Sequence, residues 1–406
     1  MRKKNPSFRR VSWILGFVLA LPTFSVKAGE AGSFLQYAAI FNRSGSSGAP
    51  ERTLQVQHAE EISSQHANSW PVVISNVVSA LPASGSTEAE IDTNSRKCLT
   101  NGSWPITSEA MPHSHSLSDT GASPIHFELA DSLIYMQASI NGSHPLWMML
   151  DTGSSVTVFD ETVSKMLGIQ FLERGNVYGP GQGSAQKLAF ADHATLMFAG
   201  EELGDQTVAT LPLEWFSREV GRSTDGFLGS NVFRNYVVEI DYANQVLRFH
   251  DPAAYSYSGS GQRLPLQFIW NGIPTVQAEV VMQDGTAIMG TFLVDSGATT
   301  ALWLTKDFSE AHPEFLSAQE TIELPSVVAV GGEVSARLGH VAAVRLGGFL
   351  VSMPLTQFSQ NTSGIFASPF VAGTIGAQTL RQFKVIFDYR HREMILEPND
   401  HFGDPS

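Results

Sequence analysis

Apolar and polar residues alternate along two stretches of the chain, and this pattern predicts half-buried β-strands in both. The first stretch, Ile125–Asp160, contains Asn141-Gly142, a dipeptide that favours a two-residue hairpin turn. The second stretch, Met289–Leu304, follows a similar turn signal at Asp284-Gly285. The 35 glycines and 20 prolines also suit a turn-rich β protein better than a helix bundle. The sequence therefore predicts an all-β fold.

Each predicted strand leads into an Asp-Thr-Gly or Asp-Ser-Gly triplet, which begins at Asp151 in the first stretch and at Asp295 in the second. A strand can hold a carboxylate rigidly, and the glycine lets the backbone turn closely around it. A third triplet begins at Asp119, but the residues before it are polar and include a proline. So short a motif also arises by chance. We therefore interpret Asp151 and Asp295 as the catalytic candidates and Asp119 as a chance match.

The sequence around the two aspartates is repeated. Five pairs of identical residues are separated by 147 positions: Gly226 and Gly373, Gly229 and Gly376, Arg234 and Arg381, Asp241 and Asp388, Tyr242 and Tyr389. Each half also has a glycine-rich hairpin candidate, VYGPGQGSA at residues 177–185 and VAVGGEVSA at residues 328–336. This spacing indicates two duplicated units of one fold, each of which supplies one aspartate.

The triplets MLDTGSS and LVDSGAT, with the later glycine strands GFLG and GTIG, resemble those of aspartic peptidases. Each half is similar to a retropepsin-like lobe, and the whole resembles the two-lobed, single-chain exported bacterial type, distantly related to pepsin. The resemblance covers residues 125–398. It implies two closed barrel-like lobes, residues 125–256 and 257–406, related by an approximate two-fold axis. A substrate cleft would lie between the lobes, and the glycine-rich hairpins would be flaps over it.

The resemblance also implies an aspartic endopeptidase whose partner is a polypeptide substrate with apolar residues beside the cleaved bond. Two neighbouring carboxyl groups share a proton, because ionising both is unfavourable. One group would activate a water and the other would protonate the peptide carbonyl. In such enzymes the hydroxyl groups at the positions of Thr152 and Ser296 bond across the lobe interface. No cofactor and no metal is expected.

Further positions are expected to support the pair or to form the flaps. Gly153 and Gly297 complete the triplets, and the hydroxyl group of Ser154 could bond the carboxylate, whereas Ala298 in the second half could not. The loss of that bond in the second half predicts a raised pKa for the pair. The flap candidates are Tyr178, Gly179, Gly181, Gly331 and Gly332.

Residues 1–28 have the pattern of a signal peptide. A basic segment precedes an apolar run, and Val26 and Ala28 are small residues at the expected cleavage site. The alternative is a membrane anchor, but the run is short for a span and contains Pro22. We therefore expect an exported protein, periplasmic or secreted, that is not held in the membrane after cleavage. Cys98 is the single cysteine, so an intramolecular disulfide is impossible.

Residues 29–124 are rich in serine, glycine, alanine and proline, which favours a low-complexity linker. A pro-segment or a partner-binding arm is the alternative, and the apolar patch Trp70–Pro82 could dock on a surface. His113 and His115 could ligate a metal, but no carboxylate or cysteine cluster lies near them in the sequence, so a solvated pair is expected.

The net charge of −14 argues against nucleic acid as a partner, since no basic patch could neutralise phosphates. Two functions compete with a monomeric peptidase. One is a binding protein on the same fold that grips extended peptides without cutting them. The other is a scaffold that acts through the N-terminal arm, in which case the twin triplets would be accidental. The presence of both aspartates favours the peptidase.

Overall fold

The computed structural model describes residues 19–22, 36–41, 54–59, 123–182, 186–317 and 319–404. The chain divides into two units, one of residues 1–24 with 120–406 and one of residues 25–119. The larger unit includes strand β1 (Leu19–Pro22). The smaller unit contains β2 (Gln36–Phe41) and β3 (Leu54–Ala59), which pair as an antiparallel hairpin.

Several predictions fall outside the described residues. They concern Cys98, the pair His113 and His115, the triplet at Asp119, the patch at residues 70–82 and most of the signal-peptide segment. The hairpin of β2 and β3 lies within residues 29–124, for which the sequence favoured a linker. The boundaries drawn at residues 28 and 124 remain predictions.

The first half of the larger unit, residues 123–256, is mostly strand with three short helices. Its elements in chain order are β4 (Ile125–His126), β5 (Glu128–Ala130), β6 (Leu133–Ile140), β7 (Leu146–Leu150), β8 (Thr157–Asp160), α1 (Glu161–Met166), β9 (Leu172–Tyr178), β10 (Gln186–Phe198), β11 (Glu201–Leu211), α2 (Glu214–Val220), β12 (Gly226–Leu228), α3 (Ser230–Asn235), β13 (Val237–Asp241) and β14 (Val246–His250).

The second half, residues 257–404, repeats this character. Its elements are β15 (Gln262–Pro265), β16 (Gln267–Ile269), β17 (Ile273–Val281), β18 (Ala287–Asp295), β19 (Leu302–Leu304), α4 (Lys306–Ala311), α5 (Glu314–Ser317), β20 (Ile322–Glu323), β21 (Val327–Ala329), β22 (Gly332–Val334), β23 (Ala336–His340), β24 (Ala343–Leu346), β25 (Phe349–Ser352), β26 (Leu355–Ser359), a 3-10 helix (Ile365–Ala367), β27 (Gly373–Gly376), α6 (Ala377–Leu380), β28 (Phe383–Asp388) and β29 (Glu393–Pro398).

The predicted hairpin turns are confirmed. Asn141 and Gly142 begin the connection of residues 141–145 between β6 and β7, with φ angles of 49° and 75°, in the left-handed region that glycine and asparagine tolerate best. Asp284 and Gly285 lie in the connection of residues 282–286 between β17 and β18, where the Asp284 carboxylate accepts a hydrogen bond from the backbone N–H of Thr286 at 2.9 Å. Local turn chemistry therefore fixes both hairpins that lead toward the triplets.

Each half has its own large sheet. The first-half sheet has the strand order β1-β9-β10-β11-β8-β12-β7-β6-β5, and a further pairing of β10 with β6 joins six of these strands in a ring. The second-half sheet has the order β20-β23-β26-β19-β27-β18-β17-β24-β25, with β16 paired to β17. The fold is mostly β, as predicted. The first-half pairings form a ring, whereas those of the second-half sheet form an open path among the described strands.

A third sheet joins the two halves, in the order β15-β29-β28-β13-β14-β4. At its centre Val238 pairs with Phe387 and Ile240 pairs with Val385. Val238 and Ile240 are the counterparts of Val385 and Phe387 at the 147-residue spacing, so the pairing is reciprocal. This sheet holds the ends of the two repeats side by side.

The apolar core consists of one large cluster shared by both halves, two smaller clusters confined mainly to one half and a small cluster shared by both. Two of the smaller clusters include residues of the glycine-rich hairpins, Val177 and Val330 in one and Ala329 and Val334 in the other. Core packing therefore continues under both hairpins. Among the described residues, no helix is long and apolar enough to cross a membrane.

Candidate active site

The two candidate aspartates lie at equivalent places in the two large sheets. Asp151 directly follows β7, and Asp295 is the last residue of β18. Each of these strands pairs in parallel with a glycine strand, β7 with β12 and β18 with β27. The backbone N–H of Asp151 also donates to the carbonyl oxygen of Leu228 at 3.0 Å. Both aspartate side chains are completely buried.

The residues that follow the aspartates bond across the two halves. The Thr152 hydroxyl group donates to the carbonyl oxygen of Val294 at 2.8 Å, and the Ser296 hydroxyl group donates to that of Leu150 at 2.9 Å. Each hydroxyl oxygen also accepts a hydrogen bond from the backbone N–H of the other residue, at 2.9 and 3.0 Å. These four bonds are reciprocal and buried, so they hold the two triplets in one relative position.

Gly153 and Gly297 allow the carboxyl groups to approach each other closely. A Cβ atom at Gly153 would lie 2.6 Å from Oδ1 of Asp295, and one at Gly297 would lie 2.5 Å from Cγ of Asp151. Each glycine also donates its backbone N–H to Oδ1 of the aspartate in its own triplet, at 2.8 Å. Each carboxyl group thus faces the backbone of the opposite triplet, where a side chain would collide with it.

The environment raises the pKa of both carboxyl groups. Burial is the main cause for Asp151, whose pKa is raised further by the charge of Asp295 and by a hydrogen bond between the two side chains. Burial also raises the pKa of Asp295, while hydrogen bonds from Asp151 and from backbone amides oppose the rise. Among the described residues, no donor reaches Oδ2 of either group. A proton shared between the carboxyl groups is therefore favoured, because it supplies their mutual hydrogen bond.

The expected role of the Ser154 hydroxyl group is wrong. This hydroxyl donates to the carbonyl oxygen of Val156 at 2.7 Å and does not bond the Asp151 carboxylate. The backbone amides of Ser154 and Ala298 instead lower the pKa of Asp151 and Asp295, respectively. The two positions therefore act alike, through the main chain, and the serine–alanine difference gives no reason for unequal carboxyl groups.

Sequence reasoning found the repeated Tyr242 and Tyr389 but gave them no place in the site. Both are buried, and neither hydroxyl group has a hydrogen-bond partner among the described residues. Burial raises the pKa of both, and so does the charge of Asp295; the charge of Asp151 also raises that of Tyr389. Two neutral phenol groups therefore belong to the electrostatic surroundings of the aspartates.

The repeat also contains Arg234 and Arg381, to which the sequence assigned no function. The side chain of each arginine forms a hydrogen bond with a residue of the other half. The Arg234 guanidinium donates to the carbonyl oxygen of Asn271 and, at 3.0 Å, to its side-chain Oδ1. Arg381 Nη1 donates to the hydroxyl oxygen of Ser132 at 3.4 Å. Both acceptors lie in hairpin turns, so each arginine ties its own half to a turn of the other. The spacing of 147 residues was the only signal for them.

The two flap candidates are hairpins, as predicted. Strands β9 and β10 form the first, and β21 and β22 form the second. Gly331 and Gly332, at the second turn, have φ angles of 89° and 118°, which favour glycine. Tyr178 is the last residue of β9, and its side chain lies outside the described part of the structure.

The tips of the two hairpins touch. The backbone N–H of Gly181 donates to the carbonyl oxygen of Val330 at 3.0 Å, and that of Gln182 donates to Glu333 at 2.9 Å. A Cβ atom at Gly179 would lie only 2.1 Å from the carbonyl oxygen of Val330. Glycine at the first tip is therefore required by the close approach of the second.

The first tip also binds a loop of the second half, residues 361–365. The Asn361 side-chain amide donates to the carbonyl oxygen of Pro180 at 2.7 Å. The backbone N–H of Thr362 donates to Oε1 of Gln182 at 3.0 Å. The first hairpin is thus bonded to both the second hairpin and this loop, and the carboxyl groups are fully buried in this arrangement.

Within the described residues, no group of three or more histidine, cysteine or acidic side chains could hold a metal ion. The polar groups that the two triplets bring together are carboxyl groups, hydroxyl groups and backbone amides. Two buried carboxyl groups of raised pKa can act as a general acid and a general base on one bound molecule.

Part of the first half matches the model of a known protein family. Residues 136–232 match a family model described as "Aspartyl protease". This segment includes Asp151 and the glycine strand β12 and lies entirely in the first half. No curated protein matches the chain. The matched segment supports an aspartyl protease family and, at that general level, a hydrolase that acts on polypeptides.

Proposed function

We propose that the protein is an aspartic endopeptidase in which Asp151 and Asp295 form the catalytic pair. The observation that carries the proposal is the reciprocal placement of the two carboxyl groups. Each is completely buried, and each lies where a side chain on the opposite triplet would collide with it. Such an arrangement is unfavourable for two ordinary carboxylates, and it suits a pair that shares one proton.

The hydrolysis follows from this protonation state. The ionised carboxyl group takes a proton from a water, whose oxygen attacks the carbonyl carbon of the substrate peptide. The protonated group donates its proton to the carbonyl oxygen as the tetrahedral intermediate forms. When the C–N bond breaks, the carboxyl group that took the proton from the water gives it to the leaving amine. A hydroxyl group of the intermediate returns its proton to the other carboxylate, so that the carbonyl is restored and the pair again holds one proton. The pair titrates as a unit, so neither role is assigned to one aspartate.

The residues around the pair keep it in place during this cycle. The crossed hydroxyl bonds of Thr152 and Ser296 fix the triplets relative to each other. Backbone amides of Gly153 and Gly297 hold Oδ1 of each carboxyl group and leave Oδ2 for the water and the shared proton. Positioning of this kind costs no reorganisation when the reaction occurs.

We further propose that the halves are the two lobes of a duplicated peptidase, barrel-like and related by an approximate two-fold axis. The reciprocal pairing of β13 with β28 and the reciprocal triplet bonds support this arrangement. An extended polypeptide would lie between the lobes, beneath the two flaps. Because the flap tips touch, they have to separate before the substrate enters.

Export of the protein is also a proposal, supported by the sequence of residues 1–28 alone. Cleavage of this segment would remove β1, which pairs with β9 of the first flap, and would place the enzyme in the periplasm or outside the cell. The lone cysteine agrees with either compartment, since the fold then depends on no disulfide.

A cleavage assay tests the proposed function directly. The purified protein is incubated with an unfolded protein across a range of pH, and the products are mapped by mass spectrometry. We expect internal cleavage that a statine-type transition-state mimic inhibits. Tight peptide binding with no product at any pH would instead support the non-cleaving binder. The intact carboxyl pair favours cleavage over that alternative.

A further inference from the structure

Three polar side chains form a row in the second-half sheet. Gln357 on β26 lies opposite Trp303 on β19, and Trp303 lies opposite Thr374 on β27. Residues opposite each other on paired strands project from the same face of a sheet. All three side chains are buried, with at most 1% of their surface exposed. We call these three residues the polar row.

The hydrogen-bonding groups of the polar row lack partners in the described part of the structure. These are both amide atoms of Gln357, the indole N–H of Trp303 and the hydroxyl group of Thr374. Buried polar groups are normally hydrogen-bonded, and leaving one unpaired is costly. Four unpaired atoms on three adjacent strands therefore need an explanation beyond packing.

The same row of the first half is apolar. There Ala209 on β11 lies opposite Val158 on β8, and Val158 lies opposite Phe227 on β12. The strand order in this part of the sheet, with its parallel and antiparallel pairings, is the same in both halves. The fold thus accommodates apolar residues at these positions without difficulty, and polarity in the second half is not a structural requirement.

The polar row lies on the side of the sheet that carries the second flap. Trp303 belongs to the same apolar cluster as Ala329 and Val334 of the flap hairpin and Ala298 beside the second triplet. Its indole ring stacks on Phe366, with 4.4 Å between ring centroids and an interplanar angle of 10°.

Two further contacts place the row close to the cleavage site. Thr374 pairs with Leu293, which stands two residues before Asp295. The backbone N–H of Ile365, beside Phe366, donates to the first flap tip at Gly179, at 3.2 Å. Opening of the flaps would therefore give access to this face from the proposed cleft.

We propose that the polar row is a substrate subsite that selects a neutral side chain bearing a primary amide, asparagine or glutamine. The inference rests on the proposed function, since it concerns the peptide that is cleaved. The Gln357 amide can donate to and accept from a second amide at the same time. The Trp303 indole N–H can donate to the amide oxygen, and the Thr374 hydroxyl can accept from the amide nitrogen. None of the three carries a charge, so a carboxylate or an ammonium group would be buried there without an opposite charge.

Matched peptides test the preference of the enzyme. A library built on one cleaved sequence carries asparagine or leucine, and glutamine or methionine, at each position on either side of the cut. These pairs have nearly equal size and differ in the amide. We expect one position at which kcat/KM for the amide peptide exceeds that for its apolar partner by about tenfold or more, as for one to two hydrogen bonds.

Variants then connect this preference to the polar row. Gln357→Leu should remove or reverse the preference for asparagine, and Thr374→Val, which keeps the side-chain shape, should weaken it. Gln382→Leu is the matched control, because its amide is also buried but lies elsewhere, where its Oε1 accepts a hydrogen bond from the backbone N–H of Gly403. The control should keep the preference of the parent.

Three results would overturn the inference. The parent enzyme could cleave all matched pairs equally, or Gln357→Leu could lower kcat/KM by one common factor for every peptide. Retention of the full preference by both Gln357→Leu and Thr374→Val would also contradict it. These outcomes leave the peptidase proposal intact. Failure to cleave any peptide, together with no binding of the statine-type mimic, would instead contradict the proposed function on which the inference rests.

Discussion

The two halves of the molecule agree at the aspartates and differ a few residues away. Both triplets show the same bonds, from glycine amide to carboxylate and from hydroxyl to the opposite main chain. Yet the row Ala209, Val158 and Phe227 of the first half corresponds to Gln357, Trp303 and Thr374 in the second. The hydrogen bonding of the two triplets is the same in both halves, because each half supplies the bonding partners of the other. Side chains that act within one half are free to diverge.

The flaps show the same contrast. Both are hairpins with glycine at the tip, and the tips meet through backbone hydrogen bonds. The first hairpin is bonded at its tip by Asn361 and Thr362 of a second-half loop, whereas the second hairpin is bonded by Asn361 at Ser335, away from its tip. Similar elements thus have different surroundings, and the halves are expected to differ in the energy needed to open them.

Removal of either carboxyl group should have the largest effect. Asp151→Asn and Asp295→Asn should each lower kcat by at least about a thousandfold, because an amide can neither share the proton of the pair nor act as a base. Asparagine is nearly isosteric, so the fold should persist by circular dichroism. The double variant should be no worse than either single one, since the pair acts as a unit.

This prediction also tests the equivalence of the halves. Activity that survives one substitution but not the other would show that only one half carries the chemistry, and the paired mechanism would be wrong. Asp119→Asn serves as a matched change of the same type, and kcat should stay within about twofold of the parent.

Alanine at the triplet glycines should cause the second-largest effect. The new Cβ at Gly153 or Gly297 would lie within 2.6 Å of the opposite carboxyl group, so the triplets must move apart. A shift of this size should lower kcat/KM about a hundredfold, and the two variants should be affected equally. Gly204→Ala is the control, because a Cβ atom added there would have no neighbour within 4 Å. An active Gly153→Ala enzyme would contradict the close approach of the carboxyl groups.

The raised pKa of the aspartates predicts a dependence of stability on pH. In the unfolded chain an aspartate has a pKa near about 3.9, whereas burial raises the pKa of Asp151 and Asp295 in the folded protein. Between these values the folded state binds more protons, so the free energy of unfolding decreases as pH rises from about 4 to the folded pKa. Asp295→Asn removes part of this dependence. At pH 7 we expect the free energy of unfolding of this variant to exceed that of the parent by at least about 1 kcal/mol, so that the variant unfolds at a higher temperature. Near pH 4 the two proteins should differ little.

Thermal unfolding at the two pH values measures this effect. Asp284→Asn is a suitable control, since Asp284 is exposed and its pKa is lowered by its bonds to Thr286. That control should not gain stability at pH 7. Equal unfolding temperatures of the parent and Asp295→Asn at both pH values would contradict a strained pair.

The smallest predicted effect concerns the first flap. Gln182→Ala removes the acceptor of two hydrogen bonds from Thr362, at 3.0 and 3.2 Å, in a partly exposed contact. Amide hydrogen exchange at Gly181 should accelerate severalfold, because one net bond contributes about 0.5–1.5 kcal/mol. Gln170→Ala, which removes one exposed contact elsewhere in the first half, should leave this exchange unchanged. Unaltered exchange at Gly181 in Gln182→Ala would show that the two bonds from Thr362 do not help to hold the tip.

Much of the site could be predicted from local sequence. The strands before Asp151 and Asp295, the turns at Asn141-Gly142 and Asp284-Gly285, and the two glycine hairpins all depend on neighbouring residues. Alternation of apolar residues and the turn preferences of glycine and asparagine act over a few positions, so they can be recognised without a tertiary structure.

The bonding of individual side chains could not be predicted in this way. The Ser154 hydroxyl group donates to the carbonyl oxygen of Val156 rather than to the carboxylate, and the identity of the residue does not reveal which acceptor it takes. The repeated arginines reach hairpin turns that are distant in the sequence, Arg234 at Asn271 and Arg381 at Ser132. The spacing of 147 residues identified the two arginines as equivalent positions of the repeat, but it did not indicate where their side chains point.

By itself the sequence determined that two equivalent strands each end in an aspartate and that two glycine hairpins follow them. Only the tertiary structure decided that these aspartates meet, that the flap tips touch and that Gln357, Trp303 and Thr374 form one row. The physical reason is that the alternation of apolar and polar residues and the preferences of turn residues act within one segment. Each of these contacts, by contrast, joins segments that are far apart in the chain. Which side chains then share a buried face depends on strand register, and register is set by the packing of the whole sheet.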